Sequence, residues 1–177
     1  MTHMGDSNNA DITLLVEQLA AHDADRRAEA AELLCRLVCR LGKAAAGATL
    51  DLVTACCDED ERVREWAVAA LEEIGPPPRG MTARLAEFVA GPNPLAAYWA
   101  ATLLGRSGQD AATAVAVLAA CVGSAADPSV RQRAAWALGK IGPAAAAAAE
   151  TLQRAAGQKE DPRLARLARD AIESIGG

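Results

Sequence analysis

Counted from an acidic or amide residue, apolar side chains recur along the chain at offsets 3, 7, 8, 11 and 14. After Asp127 they are Val130, Ala134, Ala135, Leu138 and Ile141; after Asp60 they are Val63, Ala67, Val68, Leu71 and Ile74. At about 100° per residue these positions fall on one stripe, the buried face of an amphipathic helix. A second, shorter helical pattern precedes each such stretch, marked in turn by Leu15, Leu52, Leu85, Leu118 and Leu152. The polar and apolar positions therefore predict five helix–turn–helix units, about ten helices in all.

The punctuation of the pattern agrees with it. Asp23, Asp60, Asn93, Asp127 and Asp161 are residue types whose side chains accept hydrogen bonds from the free N–H groups of a helix's first turn. Pro94, Pro128 and Pro162 follow three of them, at the first helical position, where the missing N–H costs nothing. The helices run to Gly42, Gly75, Gly108, Gly142 and Gly176, stop signals spaced 33, 33, 34 and 34 residues apart. Such a period marks a stacked repeat in which each unit touches mainly its neighbours.

The leucine series opens with a longer step, 37 residues from Leu15 to Leu52. The excess lies near Cys35–Leu41 and amounts to about one α-turn, which lengthens a helix without rotating its face. The expected fold is an all-α solenoid, a right-handed superhelix, with units at 12–42, 43–75, 76–108, 109–142 and 143–177. Together they are read as a single domain, 12–177, preceded by a disordered polar lead-in, 1–11. Arg26 at offset 3 of the first unit and Arg169 at offset 8 of the last replace apolar residues, so both terminal units are expected to be polar caps.

Composition narrows the function. A net charge of −5 tells against a generic nucleic-acid or membrane-surface binder, although a local patch can still be basic. The apolar runs fall far short of the ~18 residues needed to span a bilayer, and no basic flank followed by an apolar run opens the chain. Alanine is abundant and aromatics make up 3%, which suits closely packed short helices. Five cysteines, an odd number set within helical patterns, read as reduced thiols in a cytoplasmic protein.

The run from Asp127 to Gly142, Asp-Pro-Ser-Val-Arg-Gln-Arg-Ala-Ala-Trp-Ala-Leu-Gly-Lys-Ile-Gly, resembles the repeat of HEAT proteins, in particular the subgroup named after phycobilisome lyases. The stretch Asp60–Gly75 is similar, and the resemblance extends over roughly residues 12–176. It implies a fold of five HEAT-like helix pairs and a family that includes lyases, scaffolds, adaptors and some DNA-repair enzymes. It also implies that Arg27, Arg64 and Arg131, all at offset 4, belong to an Asp–Arg ladder joining neighbouring units. Ala97 and Ala165 interrupt that ladder.

Candidate function rests on the aromatics. Trp66 and Trp99 occupy offset 6 and Trp136 offset 9, about 130° and about 170° from the centre of the buried stripe. That places them, with Tyr98, on the inner concave surface, either as anchors for a partner or as rings lying flat over an adjacent inner helix. Arg62, Arg106, Arg133 and Lys140 surround them, together with Glu65 and Glu73, giving an expected mildly basic groove. The reading is a non-enzymatic scaffold or adaptor that binds a protein partner there, through aromatic anchors and cations that select acidic groups.

A bilin-lyase-type subunit or chaperone is the alternative that the resemblance allows. A DNA-lesion glycosylase would need a strongly basic groove and a catalytic carboxylate, for which Glu73 is the nearest candidate. Cys35, Cys39, Cys56 and Cys57 lack the short knuckle spacing of a zinc site, and the only histidines are His3 and His22. No catalytic residue, metal or cofactor is assigned. The loop Gly75–Gly80, rich in proline, reads as a stiffened turn.

Overall fold

The computed structural model describes the backbone of residues 3–177 and side chains from Ala10 onward. Ten α-helices occupy this stretch: α1 (His3–Leu19), α2 (Ala24–Leu41), α3 (Thr49–Ala55), α4 (Glu61–Glu73), α5 (Thr82–Ala90), α6 (Pro94–Ser107), α7 (Val115–Ser124), α8 (Pro128–Ile141), α9 (Ala149–Ala156) and α10 (Pro162–Gly176). No strand occurs among the described residues, and the architecture is all-α, an α-solenoid. The expected lead-in lies partly outside the described residues; from His3 onward the backbone is helical instead. No proline interrupts that stretch, and Ile12 and Leu15 anchor the helix by burial.

The repeat predicts one array over residues 12–177, and the contacts group the chain into two compact units, Met1–Pro78 and Arg79–Gly177. The proline loop stands at the boundary. In the first unit α2 packs along α4, and α1 and α3 lie against them. In the second, α6, α8 and α10 form a row of inner helices, each beside the next, with α5, α7 and α9 as their outer partners.

All five predicted caps form. Asp23 accepts from the Arg26 N–H at 3.0 Å, Asp60 from Arg62 at 2.9 Å and Asn93 from Leu95 at 2.9 Å. Asp127 accepts from Ser129 at 2.7 Å and Asp161 from Leu164 at 2.8 Å. The added turn is also present: α2 has 18 residues, whereas α6 and α8 have 14 each.

The glycine stops divide. Gly42, Gly108 and Gly142 adopt φ of 53°, 54° and 71°, a left-handed region that favours glycine. Gly75 does not, because α4 ends when Ile74 turns extended toward the prolines, and Gly176 lies within α10.

After each left-handed glycine the chain forms a 3₁₀ segment before the next outer helix, at Gly42–Ala48, Gly108–Ala114 and Gly142–Ala148. The α-helical period does not anticipate these segments. Each buries alanines three residues apart, Ala45 with Ala48, Ala111 with Ala114 and Ala145 with Ala148. That spacing stacks side chains on one edge of a helix with three residues per turn. The Ala144–Ala149 run is therefore mostly 3₁₀, and α9 begins only at Ala149.

The offset-4 arginines hold the turns. Arg27 forks onto Asp58 at 2.8 and 2.9 Å and donates to the carbonyls of Ala21 and His22 at 3.1 and 3.0 Å. Arg64 donates to the carbonyls of Asp58 and Glu59, both at 2.8 Å. Arg131 pairs with the Gln158 amide oxygen at 2.5 Å. Of these three offset-4 arginines, only Arg27 makes the arginine–carboxylate rung implied by the resemblance.

These polar contacts make stability depend on acid. The Arg62 guanidinium and the helix N–H groups hold the Asp60 carboxyl down at about 2, against an ordinary 3.8. Asp23, Asp127 and Asp161 are also lowered, by the Arg26 N–H, by Ser129 and by the Leu164 N–H respectively. Burial pushes Asp58 up, but Arg27 overcomes it and the net shift is downward. Asp51, raised by burial, works in the opposite sense.

A lowered carboxyl contributes stability above its unfolded pKa and loses it as pH falls through the folded value. Urea unfolding of the chain should therefore show stability declining as pH falls from about 4 toward about 2. Asp60→Asn, which keeps a capping side chain but no longer titrates, should decline less. Identical pH profiles for the two proteins would contradict this assignment.

Candidate functional site

The predicted aromatics meet different fates. On α4, in the first unit, Trp66 is 37% exposed. On α6, in the second unit, Trp99 is 6% exposed, although its wheel position predicts a surface ring. The wheel counts only the contact with the partner outer helix. An inner helix in a row is also covered laterally, and α6 is buried at Ala96, Ala97 and every position from Trp99 to Gly105. Trp99 meets Tyr98 edge to face, with ring centroids 5.6 Å apart. It is a packing residue.

Trp136, on α8, is half-buried and owes its position to a glycine. A β-carbon on Gly105 of α6 would lie 2.4 Å from Trp136 Cζ3 and 3.0 Å from Cε3. The indole therefore occupies space that any other residue at position 105 would fill. This ring thus lies against an adjacent inner helix while keeping part of its surface open. The next inner helix repeats the device: a β-carbon on Gly139 would meet Ala171 Cα of α10 at 3.1 Å.

A cation stack rests on the outer side of this packing. The Arg133 guanidinium lies 4.4 Å from the Tyr98 ring centroid and 5.0 Å from that of Trp136, and it donates a hydrogen bond to Tyr98 Oη. Lys140 Nζ stands 5.8 Å over Trp136. Each such contact is worth about 0.5–1 kcal/mol at an exposed site. Two open hollows flank the stack. One, of about 210 Å³, is lined by Tyr98, Gln132, Arg133, Trp136, Arg163 and Leu167. The other, of about 350 Å³, includes Trp136, Lys140, Arg166, Leu167 and Asp170.

The remaining predicted cations lie elsewhere. Arg62, in the first unit, is bonded to Asp25 at 2.8 Å and Asp60 at 2.9 Å, so its charge already has acid partners. Arg106, on α6, is half-buried. Arg163, Arg166 and Leu167 are missing from the sequence-based site because the last repeat reads as a polar cap, and Gln132 of the fourth repeat is missing because it is neither aromatic nor charged. The register contains the signal: Arg133 and Leu167 continue the offset-6 column of Trp66 and Trp99, and Gln132 and Arg166 continue the offset-5 column of Tyr98.

The buried cysteines Cys35, Cys56 and Cys121 show no activation. Burial pushes the Cys35 thiol up to about 11 and raises Cys56 and Cys121 as well. Among the described residues, no group of three or more His, Cys, Asp or Glu is placed to hold a metal ion.

The family model described as HEAT repeats matches residues 81–173, just over half of the chain and all within the second unit. The crystal structure of an engineered protein is similar to the chain with a TM-score of 0.65 at 23% identity, over 94% of this chain and 48% of that one. The chain thus spans about half the length of that protein, and at this identity the likeness concerns the fold alone. A designed armadillo repeat protein aligns with a TM-score of 0.36 at 16% identity, over 92% of this chain and 98% of its own. No curated protein matches the chain.

The contrast between the tryptophans can be measured. Trp99→Ala should cost about 3–5 kcal/mol in urea unfolding, the usual loss for truncating a buried indole, and Trp66→Ala much less. Gly105→Ala should cost about 1–3 kcal/mol by overpacking and shift the fluorescence of Trp136. A Gly105→Ala protein as stable as the parent would refute the close approach.

Proposed function

This chain belongs to the HEAT-repeat family, and from that premise we propose that it is a protein-interaction scaffold whose second unit binds an acidic polypeptide segment across α6, α8 and α10. The fold is one commonly used for protein interaction. The observation that supports this reading is the Tyr98–Arg133–Trp136–Lys140 stack. It combines rigid aromatic surface with cations held in place by rings rather than by carboxylates. Arg163 and Arg166 extend the positive charge, and the one acid lining the two hollows, Asp170, pairs with Arg166 at 3.7 Å.

Aromatic residues and arginine supply most of the energy at protein interfaces, and complementary charge sets register and association rate. The stack is the proposed anchor on the inner-helix face, the part of the repeat expected to be concave. Trp66, Arg62 and Arg106 are secondary to it, and Trp99 acts through packing. The lyase-type subgroup rests on the Asp127–Gly142 resemblance. The glycosylase reading draws no particular support from this face, because its acid is already tied to an arginine. Among the described residues no helix is long and apolar enough to cross a membrane.

The test is the binding of a fluorescein-labelled, glutamate-rich peptide, followed by anisotropy at low and moderate salt. Arg133→Ala/Lys140→Ala should weaken binding about tenfold or more and reduce its salt dependence, with circular dichroism unchanged. Equal affinity for the parent and the folded double variant would end the proposal.

A further inference from the structure

The second unit has a hollow of about 530 Å³ at the turns preceding α6 and α8. Its walls are Val89, Val117, Cys121 and Val130, its floor includes Ala97, and the Gly91–Pro92 turn and Asp127 stand at its rim. Ala97 occupies offset 4, the position held by Arg27, Arg64 and Arg131 in three other repeats. In two of those the guanidinium serves the backbone of its own turn. Arg27 donates to Ala21 and His22, and Arg64 to Asp58 and Glu59, the residues two and one before the helix cap.

The corresponding residues here are Gly91 and Pro92, and their carbonyls accept no hydrogen bond among the described residues. The facing acid has gone as well, since Ala125 stands where the first unit has Asp58. Arg64 shows that two turn carbonyls are enough to dock a guanidinium. The hollow is thus the space of an arginine rung whose own side chain ends at a β-carbon.

We propose that this hollow is a binding slot for an arginine side chain presented by a partner polypeptide. The methylene stem would lie against Ala97, Val130 and Val117. One terminal guanidinium nitrogen would take the Gly91 and Pro92 carbonyls, as Nη1 does in Arg27 and Arg64, and Asp127 would supply negative charge at the rim. Arginine suits the slot better than lysine, because while one nitrogen takes both carbonyls its remaining N–H groups are left for an acid, as Arg27 shows with Asp58. A purely apolar side chain would leave those carbonyls without a donor. The slot is distinct from the cation stack and does not depend on what binds there.

The probe is N-acetylarginine amide, titrated into the full chain and followed by amide NMR. Saturable shifts at Gly91, Ala97 and Asp127 are expected, with N-acetylcitrulline amide about tenfold weaker, the worth of a charge-assisted hydrogen bond. Equal response to the two compounds, or none to either, overturns the proposal. Ala97→Arg should fill the slot from within, raise the Tm and abolish the titration; a folded Ala97→Arg protein that still titrates normally overturns it. If that variant fails to fold, Asp127→Asn decides, since asparagine keeps the helix cap while removing the charge. It should weaken the titration severalfold, and unchanged binding would overturn the proposal.

Discussion

Successive inner helices in the second unit approach more closely than ordinary side chains permit, and the rest of that unit follows from this approach. The contact points are Gly105 and Gly139, both twelve residues past their helix caps. At one, the helix makes room for the Trp136 indole; at the other, for the backbone of α10 at Ala171. Glycine inside a helix costs about 0.5–1 kcal/mol relative to alanine, so the close contact must return at least that much in dispersion and burial. The alanines on the facing surfaces, such as Ala100, Ala101, Ala134, Ala135 and Ala168, serve the same end by keeping side-chain bulk out of the seam. Once Trp136 is fixed over Gly105, it forms a platform, and Arg133 can lie between that platform and Tyr98.

The turns obey a second rule. A loop before a helix cap leaves carbonyls pointing inward, and buried carbonyls need donors. Arg27 and Arg64 meet that need from the first turn of the following helix, and the same group then becomes available to a neighbour's acid, as Arg27 is to Asp58. In the first unit, the ladder contact between repeats is therefore a by-product of satisfying the turn. That accounts for the ladder's irregularity: a rung reaches a carboxylate only where one stands in range. Where Ala97 replaces the arginine, the neighbouring acid has been replaced too, by Ala125, so no carboxylate is left buried and uncompensated.

Much of this was legible because it is local. An acidic or amide residue, a following proline and a stripe of alanine and leucine each act within one helix, and all five caps and the lengthened α2 follow from them. The 3₁₀ segments were hidden because the stretch after each glycine is alanine-rich and fits an α-period as well as a three-residue one. The exposure of the tryptophans was hidden for another reason. A helical wheel knows one partner helix, whereas Trp99 is covered by the lateral packing of an inner row. Gly105, Gly139 and the contributions of α10 were readable only by aligning repeats column by column, since their meaning lies in the neighbour.

The same distinction between local and lateral contacts bears on how a chain of net charge −5 keeps a positive face. Arg27 and Arg62 are neutralised by aspartates, and their charge is spent inside the protein. Arg133 is held by rings and a phenol, with no carboxylate within ion-pair reach among the described residues. Aromatic faces orient a cation through their quadrupole without cancelling its charge. An arginine fixed this way has already lost much of its rotamer freedom, so an incoming carboxylate has less ordering to impose. A cation paired with an acid is equally ordered but must surrender that partner first. Aromatic support is thus the arrangement that leaves a charge both positioned and available, and it depends on a ring that the glycine seam alone allows to lie where it does.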